Sequence, residues 1–280
     1  MHIHSRIAPT PSGFLHVGNA YAFAVTDYIV SKSGGTLRLR IDDLDAPRVR
    51  SEYIQDIFDT LDWMGITEWY GPKDAMAFSR NFSQQQRLND YFSCIEALIE
   101  TGLTYACNCS RSSLLAMGHH TYPGGICRRK KLSPNEPNTA LRLVILPEKM
   151  PIRFFDYFTG QAHAIDLTKE MGDFVIRRKD GLPAYQIASL CDDVTYGINT
   201  IVRGNDLLTS TAAQLYLADL LGKTNFLNAH FFHHPLLTSA SGEKLSKSAG
   251  SSSIKQLRAN GYLWSDVKKQ LPPIIPAQVL

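Results

Sequence analysis

The stretch from Arg6 to Asn19 limits the fold more than any other part of this chain. Pro9, Pro11 and Gly13 follow one another so closely that neither helix nor sheet can continue through them. Residues 2–8, before this break, read as a short strand, and a helix is expected to start near His16. Thr36 to Ile41 then alternates Leu37, Leu39 and Ile41 with Arg38 and Arg40, the period of two expected of a strand with unlike faces. The unit is therefore strand, loop, helix, strand. Its loop brings backbone N–H groups, a helix N-terminus and the His16 imidazole to one place, an arrangement that suits the phosphates of ATP. Gly18 lets a ligand approach the backbone, and His16 is a candidate donor to charge that grows on the phosphates during displacement. Taken alone, His-x-Gly-Asn is explained better by a histidine capping or packing at a helix end.

The 280 residues are 44% hydrophobic, enough for a sizeable core in one large domain or two smaller ones. A net charge of +3 neither requires nor excludes a nucleic-acid partner, so local clusters must decide. Met1 to Ile7 has no stretch of signal-peptide type, and no apolar run approaches the roughly 20 residues needed to cross a bilayer. Five cysteines, an odd number, argue for reduced thiols or a metal site over a disulfide framework. The expectation is a cytoplasmic, monomeric protein without a membrane partner.

Ile54, Ile57, Phe58 and Leu61 share one helical face, as do Leu88, Tyr91, Phe92, Ile95, Leu98 and Ile99. From about Tyr105 to Pro137 the texture changes to Cys, Gly, His, Pro and consecutive basic residues, which reads as a small insertion in need of a local staple. Leu141 to Leu146 reads as a strand. Phe174 to Ile176 and Tyr185 to Ile187 flank the turn Lys179-Asp180-Gly181 like the arms of a hairpin. Beyond Thr195 come a strand at Thr200 to Arg203, a helix near Ser210 to Leu221 and a strand at His230 to His233. Together these suggest an α/β fold, a Rossmann-like doubly wound parallel sheet interrupted by a small insertion with a zinc site. The expected division is 1–100 and 191–250 for the two halves of a nucleotide-binding catalytic domain, 101–190 for a zinc-binding and acceptor-contacting insertion, and 251–280 for a short C-terminal extension.

A second constellation is Gly242-Glu243-Lys244-Leu245-Ser246-Lys247-Ser248, where Lys244 and Lys247 sit in a small-residue loop able to reach a polyphosphate. A solvated basic loop would explain it equally well. The two constellations in this order, with Arg40-Ile41-Asp42-Asp43-Leu44-Asp45 and Ile201-Val202-Arg203-Gly204-Asn205-Asp206-Leu207 between them, resemble the blocks of class I aminoacyl-tRNA synthetases, glutamyl and glutaminyl branch. Within that branch the chain is similar to the stand-alone glutamyl-queuosine tRNA(Asp) synthetases, since the residues after Ser248 are too few for an anticodon-binding domain of typical size.

The resemblance implies that His16, Gly18, Asn19, Lys244 and Lys247 form the catalytic and ATP-binding set. It implies further that Arg6, Ala8, Thr10, Asp42, Tyr185 and Arg203 line the amino-acid pocket, with Arg6 and Arg203 as partners for substrate carboxylates. Ion pairing of these arginines with Asp42, Asp43 or Asp206 is the structural alternative. Asp42 stands where the family has a glutamate for the substrate ammonium group. Its reach is one methylene shorter, so either the pocket is tightened or the preferred amino acid differs from glutamate.

In the insertion, Cys107, Cys109 and Cys127 plus one more donor would satisfy four-coordinate zinc. The family resemblance makes Tyr122 the fourth ligand, while ordinary metal preferences make His119 or His120 its rivals. The basic run Arg128-Arg129-Lys130-Lys131 would place positive charge where an RNA backbone passes, or form a solvated turn. Cys94 and Cys191 have no partner pattern and read as small buried hydrophobes.

The activity implied is a two-step ligation. Glutamate and ATP with Mg²⁺ give glutamyl-adenylate, and a hydroxyl of queuosine in the anticodon loop of tRNA(Asp) then accepts the glutamyl group. Alternatives are a truncated glutamyl or glutaminyl synthetase charging a tRNA 3′ end, a ligase with a small-molecule acceptor, or a silent RNA-binding paralogue.

Overall fold

The computed structural model describes residues 2–116, 118, 124–237 and 253–274. The first half runs β1 (His4–Ile7), α1 (Val17–Lys32), β2 (Thr36–Leu39), α2 (Ser51–Trp63), α3 (Ala75–Asn81) and α4 (Leu88–Glu100). Next come β3 (Thr104–Cys107), α5 (Arg111–Ala116), α6 (Ile126–Arg129), β4 (Ala140–Leu143), β5 (Ile152–Asp156), β6 (Gln161–Ile165), α7 (Leu167–Glu170) and β7 (Val175–Arg177). The chain then forms α8 (Tyr185–Thr195), β8 (Thr200–Gly204), α9 (Leu208–Leu220), α10 (Thr224–Leu227), β9 (His230–His234), α11 (Ile254–Ala259) and α12 (Trp264–Lys268).

Six strands make the main sheet in the order β2-β1-β8-β9-β5-β6. Neighbours from β2 to β5 pair in parallel, and β6 closes the edge antiparallel to β5. The strands β3, β4 and β7 form a separate antiparallel sheet. Because successive strand residues face opposite ways, Val202 and Phe232 join one core with α1 and α2, while Ile201 and Phe231 join a second core with α4, α8 and α9. Helices on both faces explain why β8 is buried along nearly its whole length, as parallel strands usually are. Truncating Phe231 or Phe232, each almost wholly buried, to alanine should cost about 3–5 kcal/mol.

The chain leaves β1 towards β2 on one side, and leaves β8 towards β9 on the other. The order of the sheet therefore reverses between β1 and β8. In open α/β sheets ligands bind at such a reversal, outside the C-terminal ends of the strands. Arg6 and Arg203 stand near those ends, and the Arg6 Nη1 donates across to the Val202 carbonyl at 3.2 Å.

The expected strands and long helices are present, with two differences. Tyr185 to Ile187 is no hairpin arm: it opens α8, and the pairing across the Lys179-Asp180-Gly181 turn, with Arg178 N–H donating to the Leu182 carbonyl and Ala184 N–H to the Ile176 carbonyl, ends before Tyr185. Ile187, Ala188, Leu190 and Cys191 recur at the spacing that buries a helix face, and this outweighs the local strand propensity of Tyr-Gln-Ile. Secondly, part of the segment 101–190 lies in the main sheet, as the β5–β6 hairpin. Among the described residues no helix is long and apolar enough to cross a membrane.

Candidate active site

The loop after β1 stays extended alongside the chain leaving β2, with the Arg40 N–H donating to the Ile7 carbonyl and the Asp42 N–H to the Pro9 carbonyl, both at 2.9 Å. This pairing holds Ala8 and Thr10 beside Asp42. His16 is the N-cap of α1, where its backbone N–H donates to Asn19 Oδ1 at 3.0 Å and its ring lies against Gly18. Asn19 thus acts as a capping residue. The first turn of α1 carries no acidic side chain, which leaves its helix dipole available to an anion.

Lys244 and Lys247 lie outside the described residues. The residues on either side are anchored close to the loop: Leu237 and Ile254 share a core with Leu15, and the Ile254 N–H donates to the Leu15 carbonyl at 2.8 Å. Asp56 accepts from the Leu15 N–H at 2.9 Å and from Arg258 at 2.7 Å, so α11 is fastened one residue before His16.

A buried network of arginine and aspartate lies behind the loop. Arg40 places Nε and Nη2 on the two oxygens of Asp42 at 2.7 and 3.0 Å, Nη1 on Asp193 at 2.7 Å and on the Ser189 carbonyl at 3.3 Å, and Nη2 also on Ser189 Oγ at 3.1 Å. Burial works against the Arg40 charge, but Asp42, Asp193 and Asp192 outweigh it and hold the pKa well above its ordinary value. Asp192 binds Arg87 through both oxygens at 2.9 and 3.0 Å, and accepts from Gln84 and the Tyr91 hydroxyl. Asp43 accepts from Ser83 Oγ and from the Gln84 N–H. Arg6 pairs with Asp193 at 3.0 Å, not with Asp42, Asp43 or Asp206.

Thr10, Asp42, Tyr185 and Ser189 line one cavity of about 130 Å³, with Arg178 and Gln84 also in its wall. Three residues assigned to the amino-acid pocket from sequence are thereby brought together. Larger clefts lie elsewhere, one of about 830 Å³ between α1 and α12 where no expected site residue stands, so size does not identify this site. Arg203 is 5% exposed, and its Nη1 donates to Gln214 at 2.9 Å. Its Nε and Nη2 are buried and meet no hydrogen-bond partner among the described residues. Burial lowers its pKa to about 10, opposed by Tyr185 and Asp193 and reinforced by Arg6. At neutral pH it is a buried cation.

In the small sheet, the sulfurs of Cys107, Cys109 and Cys127 lie within 4.8 Å of one another, with Cys109 and Cys127 3.4 Å apart. Tetrahedral zinc with Zn–S near 2.3 Å separates its sulfurs by about 3.8 Å, so this donor set fits the ion. Tyr122, His119 and His120 lie outside the described residues. Around the cysteines the hydrophobic cluster is small, consisting of Tyr105, Cys107 and Cys127 with Cys109 and Val144 packed against it.

Two side-chain expectations change. Cys94 and Cys191 are partners, their sulfurs 2.8 Å apart between α4 and α8. In the basic run, Arg128 forks onto Asp173 and is committed to the fold. Sequence reading missed Asp192, Asp193, Ser189 and Arg87. Two adjacent aspartates at the end of an apolar helical pattern were the available signal, and taking Tyr185 to Ile187 for a strand concealed the pattern.

A model of the class I tRNA synthetases (E and Q), catalytic domain, matches residues 2–270. The chain is 40% identical over 276 residues to glutamyl-Q tRNA(Asp) synthetase of Pseudomonas aeruginosa, covering 98% of this chain and 87% of that one. It is 41% identical over 271 residues to the enzyme of that name from Pseudomonas fluorescens, covering 96% and 84%, and 34% identical to the one from Nitratidesulfovibrio vulgaris, covering 92% and 82%. In structure it resembles glutamate-tRNA synthetase from Elizabethkingia anophelis, with a TM-score of 0.71 at 24% identity over 94% of this chain. It spans 54% of that longer chain, and the likeness speaks to the fold.

Proposed function

The chain belongs to the class I tRNA synthetases (E and Q), as a catalytic domain of that family and hence a ligase, and on that premise we propose that it activates glutamate with ATP and transfers the glutamyl group to queuosine of tRNA(Asp). The relatives named glutamyl-Q tRNA(Asp) synthetase support the acceptor, being 34–41% identical across most of both chains. Arg203 carries the choice of amino acid. A buried guanidinium that meets only neutral groups, Gln214 and Tyr185, at hydrogen-bond distance among the described residues calls for a carboxylate, and a substrate with an amide side chain would leave that charge unpaired at a cost of several kcal/mol.

In this reading Arg203, Arg6 and Tyr185 receive the side-chain carboxylate, while Asp42 and Thr10 face the ammonium group. The substrate α-carboxylate attacks the α-phosphate of ATP, supplied as its Mg²⁺ complex, so no protein nucleophile is needed. Positioning and neutralisation of charge do most of the work. His16, the N–H groups around Gly18 and Asn19, Lys244 and Lys247 would hold the phosphates, and the anchoring of α11 beside Leu15 supports this placement. Zinc on Cys107, Cys109 and Cys127, with Tyr122 as fourth ligand, would tie together the small sheet that contacts the acceptor. We take 101–190 as contributing that surface, with 1–100 and 191–250 supplying the nucleotide-binding halves.

The test is glutamate-dependent ATP–pyrophosphate exchange, followed by transfer of labelled glutamate to tRNA(Asp) with and without queuosine. Transfer to the queuosine form alone is expected. Equal labelling of both forms would reject the acceptor, and exchange with glutamine in preference to glutamate would reject the amino acid.

A further inference from the structure

Asp193 is 0% exposed and joins Arg6 to Arg40, the arginine that holds Asp42. Its Oδ1 accepts from Arg6 Nε at 3.0 Å and from Arg40 Nη1 at 2.7 Å, while Oδ2 has no hydrogen-bond partner among the described residues. The two arginines differ. Arg40 places hydrogen bonds from all three of its nitrogens on Asp42, Asp193 and Ser189, and its fork fixes both oxygens of Asp42 in the cavity wall. Arg6 uses Nε on Asp193 and one Nη1 hydrogen on Val202, which leaves further donors for a ligand. One carboxylate oxygen therefore sets the separation between a carboxylate-binding arginine and the arginine that aims the ammonium-binding aspartate.

We infer that Asp193 is a positioning residue for the amino-acid substrate, registering the Arg6 contact against the Asp42 contact through Arg40. This deepens the proposed glutamate site and rests on that reading. An amide at 193 could still accept hydrogen bonds, but it would leave two guanidinium groups facing one another across a neutral group, and they would move apart. Asp192 is the natural comparison. It is as deeply buried, and its hydrogen bonds run to Arg87 and Tyr91, outside the cavity lining, and to Gln84 in the wall, with none to Arg6 or Arg40.

The experiment compares Asp193→Asn, Asp193→Glu and Asp192→Asn with the parent in glutamate-dependent pyrophosphate exchange with tRNA present, together with thermal unfolding. Asp193→Asn is expected to raise KM for glutamate about thirtyfold with KM for ATP within about twofold, because the loss falls on the amino-acid contacts alone. Asp193→Glu keeps the charge but displaces it by a methylene, and should show the same split at smaller size. Asp192→Asn should lower the unfolding temperature without the split. Equal changes in both KM values, an unchanged KM for glutamate, or loss of folding in both Asp193 variants would each overturn the positioning role. Absence of glutamate-dependent exchange in the parent would instead sink the proposed function, and the two failures are thus distinguishable.

Discussion

A β-carbon on Gly18 would stand 2.9 Å from Cε1 of the His16 ring and 3.0 Å from its Nδ1. The imidazole occupies the space that any other residue at 18 would claim. Gly18→Ala must therefore displace the His16 ring, while the helix itself gains from losing a glycine. The variant should unfold at or near the parent temperature but exchange pyrophosphate about a hundredfold more slowly, as expected for a displaced catalytic group. Parent-like exchange would remove His16 from the phosphate site.

Arg203→Gln takes away the buried cation and retains a donor of similar shape. KM for glutamate should rise on the order of a hundredfold, in line with loss of a buried charge partner, and the preference over glutamine should shrink. Steady-state exchange with both amino acids measures it. An undiminished preference would mean that the side-chain carboxylate lies elsewhere.

Purified protein should carry about one zinc per chain, and Cys107→Ser should lose it. The surrounding cluster of Tyr105, Cys107 and Cys127 is small, and beside it α6 is joined to β3 and β4 chiefly by Arg128 on Asp173. Unfolding temperature should fall along with metal content, and so should transfer to RNA. A parent free of zinc, measured by elemental analysis, contradicts the metal site.

His230, His233 and His234 are all held below the ordinary value of 6.5 by burial. An unfolded chain takes up protons near that pH which the folded chain refuses, so stability declines as pH falls through about 6.5 and levels off once the folded imidazoles titrate. The urea midpoint should be lower near pH 5.5 than near pH 7.5, and the gap smaller in His234→Asn. A midpoint that holds or rises on acidification would mean that these rings are not refusing the proton.

The Cys94 thiol is brought down to about 7 by a hydrogen bond from Cys191, against the opposing effect of burial. Iodoacetamide at neutral pH should label Cys94 ahead of Cys191, and a mild azo oxidant should join the pair with loss of two hydrogens. Peptide mapping by mass spectrometry distinguishes this from two independent buried thiols.

The loop expected to hold the nucleotide is legible in the sequence because it is local. Pro9, Pro11, Gly13, His16 and Gly18 lie in one short stretch of chain, and each has its own reason for being there. The thiol cluster is legible through the spacing of Cys107, Cys109 and Cys127, whose sulfurs the fold does bring together. The clamp formed by Asp193 was not, since its partners Arg6 and Arg40 are distant in sequence and meet only when the sheet reverses between β1 and β8. Tyr185 lines a cavity with Thr10 and Asp42 but opens a helix where a strand was expected, because a short apolar run satisfies both periods until its continuation through Cys191 is counted.

The small sheet takes β3 and β4, loses the chain to β5 and β6 at the edge of the main sheet, and regains it for β7 before α8 leads back. Such lacing has a consequence for engineering. A swap of the small sheet between relatives cannot be made with one cut and one splice. Cutting out 101–190 whole would carry off an edge hairpin and sever α8 just ahead of Asp192 and Asp193, so a chimaera must be drawn as two separate grafts that spare residues 152–165.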